Sequence, residues 1–236
     1  VVLEAAASRF WVRESLGRVR ATEPAGPRLS YGAIAHFYIP LATTSILALG
    51  VNPLVSFFLG RAPMPLESLA VMPVVNTFVF VFLTAGLTFQ EVAIPLMDQG
   101  EKAHRALRRF ALATALGASG ILFLLTFTPL SQLWFRNVAG LAPQLAAFAT
   151  LPAAILFLQP ALTVLVSYQR ATLVVARTTR PITWATAIEV GGISLVLLAL
   201  TRLCGWVGVT AAACALVAGR TASALYLLPK TRGLRP

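Results

Sequence analysis

Apolar runs long enough to cross a bilayer, separated by short polar segments, set the pattern of this chain. The stretch Leu69 to Met97, LAVMPVVNTFVFVFLTAGLTFQEVAIPLM, shows it most clearly. About 20 apolar residues at 1.5 Å rise span the ~30 Å hydrocarbon core, so this run is long enough to cross. Within it Thr77, Thr84, Thr88 and Glu91 are spaced seven, four and three apart, which puts them on one narrow helix face. A carboxylate inside a membrane helix is disfavoured by roughly 2.5–3.5 kcal/mol on insertion scales, so Glu91 is expected to face other helices or a wet cavity.

The same reading, taken along the chain, predicts six spans: Tyr31 to Gly60, Leu69 to Met97, Leu107 to Phe127, Leu145 to Val175, Ile182 to Leu200 and Val207 to Leu228. Pro129 and Pro229 are expected to stop the third and sixth, and Pro181 to start the fifth. Pro40, Pro53, Pro152 and Pro160 fall inside spans, where each frees a carbonyl that a neighbouring helix or water must satisfy. Trp134 and Phe135 read as interfacial aromatics in the loop after the third span. Residues 1–30 read as a basic cytoplasmic linker, with VVLEAAASRF as the end of a preceding helix, and 230–236 as a cytoplasmic tail. The six-helix bundle would occupy 31–229.

Composition agrees with a bilayer as solvent: 58% of residues are hydrophobic and 11% charged, and the mean hydropathy is +0.80. The net charge of +11 sits in clusters between apolar runs rather than in one stripe interleaved with aromatics, which argues against nucleic acid. If the N-terminus is cytoplasmic, sixteen Lys and Arg fall on inside segments and three, Arg61, Arg136 and Arg202, on outside loops. Strict alternation of this kind requires six crossings. The expected fold class is therefore all-α: a polytopic membrane protein, a six-transmembrane-helix bundle with both termini cytoplasmic, multi-pass in a cell membrane, with the bacterial inner membrane as the expected location. Cys204 and Cys214, read on one helix, would stand about 15 Å apart, too far to bond each other. His36 and His104 are too few for a metal site, and no cofactor is expected.

Polar residues recur at helical spacing on two further spans. Ser45, Asn52 and Ser56 share a face on the first, and Gln159, Thr163 and Arg170 on the fourth. With Thr77, Thr84 and Thr88 they are candidates to line one aqueous substrate pathway. The plainer reading is interhelical hydrogen bonding, worth about 0.6–2 kcal/mol for each residue. Glu91, Arg170 and Glu189 are expected to cluster as an ion-coupling group or gate toward the cytoplasmic side, with Arg220 placed apart near the inner end of the sixth span. A permanent structural ion pair is the competing account. Ala211, Ala215, Gly219 and Ser223 recur every four residues and read as a packing seam. The chain has no phosphate-cradling GxxxxGK[ST] loop, no HExxH and no GxSxG elbow. No nucleophile and base can be paired from what remains, so an enzyme is not expected.

The order of FYIPL (Phe37 to Leu41), SLAVMP (Ser68 to Pro73), RRFALATALG, LFLLTFTPLSQLWF, LPAAILFLQPALTVLVSYQRATLVVARTTRP and GWVGVTAAACALVAGR resembles the second half of a multidrug, oligosaccharide-lipid and polysaccharide (MOP) exporter. That superfamily includes the MATE exporters and lipid-linked sugar flippases. The TP after the third span, the paired prolines of the fourth and the GVxxA opening of the sixth are most similar to the progressive ankylosis type. The resemblance, over residues 30–230, implies rocking alternating access between two six-helix halves. The partners implied are the lipid bilayer, a homologous six-helix half and a small-molecule or lipid-linked substrate. Cation-coupled MATE exporters often carry an acid on one of their first-half or seventh helices, whereas the run Tyr31 to Gly60 has none, and the ankylosis comparison implies export of small anions such as citrate or pyrophosphate. A non-transporting membrane scaffold and an intramembrane enzyme are the alternatives from other classes.

Overall fold

A computed structural model describes residues 8–9, 11–13, 17, 30–97 and 100–232. Two compact units divide the chain, Val1–His36 and Phe37–Pro236. In the first, residues 8–9 and 11–13 are helical and exposed. Most of the linker expected over 1–30, the helix end expected in VVLEAAASRF and the tail from residue 233 lie outside the described residues.

Every described element is helical. Six crossings are long and apolar enough for a membrane: Ala42–Leu59, Pro65–Met97, Ala103–Phe127, Pro143–Val175, Arg180–Leu203 and Gly208–Arg232. They are built from α1 (Tyr31–Leu59), α2 (Pro65–Met97), α3 (Glu101–Phe127), α5 (Pro143–Ile155) with α6 (Gln159–Val175), α7 (Arg180–Leu198) and α8 (Gly208–Arg232). A short α4 (Leu130–Leu133) and a π-turn (Trp134–Val138) join α3 to α5. The chain is thus an all-α, multi-pass membrane protein. Leu116, Ile121, Leu124 and Leu195 are largely exposed, an apolar surface suited to a bilayer.

Several boundaries move from their predicted places for identifiable reasons. Gly100, at φ 99°, breaks the chain before α3, which begins at Glu101 rather than Leu107. Arg105, Arg108 and Arg109 therefore ride, exposed, on the first turns of a helix, a place that long aliphatic stems with charged ends tolerate. α8 runs through Pro229 to Arg232, because a proline one turn from a helix end removes a single backbone bond. Phe135 is not an interfacial aromatic. It is fully buried, its ring 5.4 Å from those of Phe78 and Trp134, and plugs the bundle at the end that carries Arg61, Arg136 and Arg202. Cys204 and Cys214 are free and fall on either side of the break between the π-turn Ala199–Leu203 and α8.

Pro160 shows how the fold repairs the backbone that proline disrupts. The fourth crossing breaks into a 3₁₀ turn at Leu156–Leu158 just before it, and the hydroxyl of Ser119, on α3, accepts the Ala161 N–H at 2.9 Å. Ser119→Ala is expected to leave that donor without a partner and cost about 1–3 kcal/mol, read as a lower melting temperature of the detergent-solubilised protein.

Three apolar clusters hold the bundle. The largest runs from Leu59 and Val71 through Phe78, Phe135 and Leu156 to Leu197. A second joins α2, α3 and α6 through Phe89, Leu107 and Ala171, and a third joins α6, α7 and α8 through Leu173, Ile182 and Leu227. Close helix approach depends on glycine at Gly86 and Gly219, among other places. A Cβ on Gly86 would stand 3.0 Å from Thr163 Cγ2 and Val164 N, and one on Gly219 would stand 2.6 Å from Ile193 Cγ1 and 2.7 Å from the Glu189 carbonyl oxygen. Ala211, Ala215, Gly219 and Ser223 are all buried, so the predicted small-residue seam is the packing face of α8.

Candidate functional site

Helix geometry fixes which polar residues share a face, and tertiary packing then decides which faces meet. Where α1, α2, α6, α7 and α8 converge they line a half-open cavity of about 440 Å³. Its polar wall comes from Asn52 on α1, Asn76 and Thr77 on α2, Gln159 and Arg170 on α6, Thr186 and Glu189 on α7, and Arg220 on α8. The remainder is aliphatic and aromatic, including Val51, Phe80, Leu83 and Ile193. Mixed walls of this kind hold a small ligand by apolar contact and orient it through a few polar groups.

A charged triad forms part of this wall. Arg220 Nε lies 2.7 Å from Glu189 Oε1, and Arg170 Nη2 lies 4.0 Å from Glu189 Oε2. The same Nη2 donates to Thr186 Oγ1 at 3.0 Å, and that hydroxyl donates to the Ile182 carbonyl at 3.1 Å. Gly219 brings the triad together: with no side chain there, the backbone of α8 sits against the Glu189 carbonyl, and the next residue is Arg220. Glu189 is buried, and Arg220 stands at the midpoint of the 25-residue α8, on a helix of membrane-spanning length where an unpaired charge is disfavoured.

The expected cluster of Glu91, Arg170 and Glu189 is therefore not the one that assembles. Glu91 is exposed and has no ion-pair partner among the described residues; it stands about four helical turns along α2 from Thr77, the part of that face that lines the cavity with α6 and α7. Arg220 joins Arg170 and Glu189 instead, at mid-helix rather than near the inner end. The signal for this was present in the sequence: Arg220 adjoins the seam glycine, and a charge beside a packing seam is carried into the bundle.

The predicted pathway residues divide in the same way. Asn52, Thr77 and Gln159 line the cavity. Ser45, Ser56, Thr84 and Thr88 are exposed and outside its wall, while Thr163 is buried behind it against Gly86. Thr77, Thr88 and Thr163 donate to backbone carbonyls four residues earlier on their own helices, and Thr84 to one three residues earlier. These hydroxyl protons are not the bonds that tie helices together. That work falls to other groups: Ser68 accepts the Val209 N–H at 3.2 Å, Gln169 donates to the Ala224 carbonyl at 3.1 Å, and His104 Nε2 lies 2.9 Å from the Tyr168 hydroxyl. Asn76 and Thr186 enter the site without having been singled out from the sequence. Among the described residues no three His, Cys, Asp or Glu side chains come together to hold a metal ion.

Comparison of the chain with protein-family models, with curated proteins and with solved structures gives no match.

Proposed function

We propose that the chain is one six-helix half of a secondary transporter that moves an amphipathic or anionic small solute, or a lipid-linked substrate, outward by alternating access. The observation that carries this reading is a cavity between apolar, membrane-length helices whose wall includes the charges of Arg170, Glu189 and Arg220. A static scaffold has no need of such a site, since replacing buried ion pairs with apolar side chains is often neutral or stabilising. The excess of Lys and Arg at the end bearing Arg105, Arg108, Arg109, Arg177, Arg180 and Lys230 supports a cytoplasmic placement of that end. Exposed Thr84, Thr88 and Glu91 then form the wall of a cleft that a homologous six-helix half completes. Six crossings are the number expected of one half of a MOP-type exporter, and the run Tyr31 to Gly60, which holds no acid, favours the progressive ankylosis comparison over cation-coupled MATE antiport.

Flux tests the proposal. In sealed liposomes the protein should drive measurable uptake or release of at least one member of a panel of anionic, amphipathic and lipid-linked solutes. Rates equal to those of protein-free liposomes across the whole panel would return the chain to the scaffold reading.

A further inference from the structure

The charges around the cavity do not balance. Two guanidiniums, Arg170 and Arg220, meet a single carboxylate, Glu189, and the rest of the polar wall is neutral: Asn52, Asn76, Thr77, Gln159 and Thr186. One positive charge is left over inside a membrane bundle, where an uncompensated ion is costly. Glu189 also serves the two arginines unequally. It touches Arg220 at 2.7 Å but Arg170 only at 4.0 Å, and Arg170 divides that same nitrogen with the Thr186 hydroxyl. Arg170 Nε is buried with no hydrogen-bond partner, and Arg220 Nε meets the carboxylate without an aligned N–H bond. Each guanidinium has five N–H donors in a fixed fork that suits the oxygens of a phosphate or carboxylate. Most of those donors are not engaged by Glu189.

We infer that Arg170 and Arg220 form a binding site for the oxyanion group of the solute, and that Glu189 is its resident counter-ion, displaced when that oxyanion arrives. This deepens the transport reading and rests on it. The two arginines stand on different helices, α6 and α8, so an oxyanion that both grip can take the place of the carboxylate α7 supplies. In the absence of solute, Glu189 keeps the site from holding two bare cations. When the solute binds, one anion exchanges for another at the same guanidiniums, and Glu189 is freed into the polar wall beside Thr186. The shared chemistry is a phosphate or carboxylate group, carried either by a free solute or by a lipid headgroup.

Equilibrium binding of radiolabelled inorganic phosphate to the full chain in phosphatidylcholine nanodiscs tests this. Saturable binding is expected, with Arg220→Gln weakening it by about a hundredfold and Glu189→Gln, which removes the competitor, tightening it by about tenfold. The double variant Glu189→Gln with Arg220→Gln has the same net charge as the wild type and leaves no carboxylate unpaired. It guards against variants that fail to fold. If it binds phosphate as well as the wild type does, a diffuse positive field and not a two-arginine site is responsible, and the inference is overturned. A parallel arm replaces free phosphate with phosphatidic acid in the disc. Retention of that lipid by the wild type and not by the double variant assigns the oxyanion to a headgroup. Binding of neither probe overturns the inference. Solute flux separates the two readings: a chain that transports but binds neither oxyanion loses only this assignment, whereas one without flux loses the transport reading beneath it.

Discussion

Glu189→Gln is expected to lower the unfolding free energy by about 3–5 kcal/mol, the cost of leaving a buried charge without its partner. Two guanidiniums would then face each other across the cavity with no carboxylate between them. Their repulsion acts between largely buried side chains on packed helices, where it is screened less than at an open surface. A second substitution, Arg220→Gln, should restore most of the loss, because it removes the charge that Glu189 neutralised. Residues that share one ion pair give strongly non-additive cycles of this kind. Thermal unfolding of the two single variants and the double variant in detergent measures it directly. Losses that simply add would show that Glu189 and Arg220 act independently, contrary to the 2.7 Å contact.

Gly219→Leu is expected to abolish the folded bundle. Even a Cβ at this position would stand 2.7 Å from the Glu189 carbonyl oxygen, which belongs to the backbone of α7 and has no rotamer to change. The helices must then separate, and the approach that sets Arg220 beside Glu189 goes with them. Gly219→Ala should cost about 1–3 kcal/mol or somewhat more, the usual range for overpacking a tight contact. Gly191 supplies the contrast on the facing helix. Nothing lies within 4 Å of its missing side chain, and Gly191→Ala should stabilise by about 0.5–1 kcal/mol through helix propensity. Monodispersity on size exclusion and melting temperature separate these outcomes: a well-folded Gly219→Leu protein would mean that the seam is not close-packed.

The number of crossings was legible because a bilayer accepts only long, internally hydrogen-bonded apolar helices, and the runs from Leu69 to Met97 and from Leu145 to Val175 satisfy that by themselves. Helix ends were less legible. Arg105, Arg108 and Arg109 look like a loop by charge, yet their stems let them ride on a helix. Phe135, with one neighbouring tryptophan and a loop-like sequence, gave no sign that it would become the core plug. The candidate site was half legible for a geometric reason. Spacing of 3.6 residues per turn states that Thr77, Thr84, Thr88 and Glu91 share a face of α2, but says nothing of what that face meets. Only the part near Thr77 reaches the cavity, while Glu91 lies outside the charged cluster. Arg220 went the other way, since the helix that looked like pure packing carried the closest partner of Glu189. Threonine adds a further ambiguity, because its hydroxyl can satisfy itself on its own helix, as those of Thr77 and Thr88 do.

The central claim is that water reaches the charged cavity from inside the membrane bundle. Reactivity of a cysteine at Gln159 tests it most directly, in a chain whose own cysteines are removed by Cys204→Ser and Cys214→Ala and which is reconstituted in sealed vesicles. Gln159→Cys, on the cavity wall, should react with a charged, water-soluble thiol reagent, and Ser223→Cys, sealed in the α8 seam, should not. Equal protection of both positions would mean that the cavity is dry and would contradict the account.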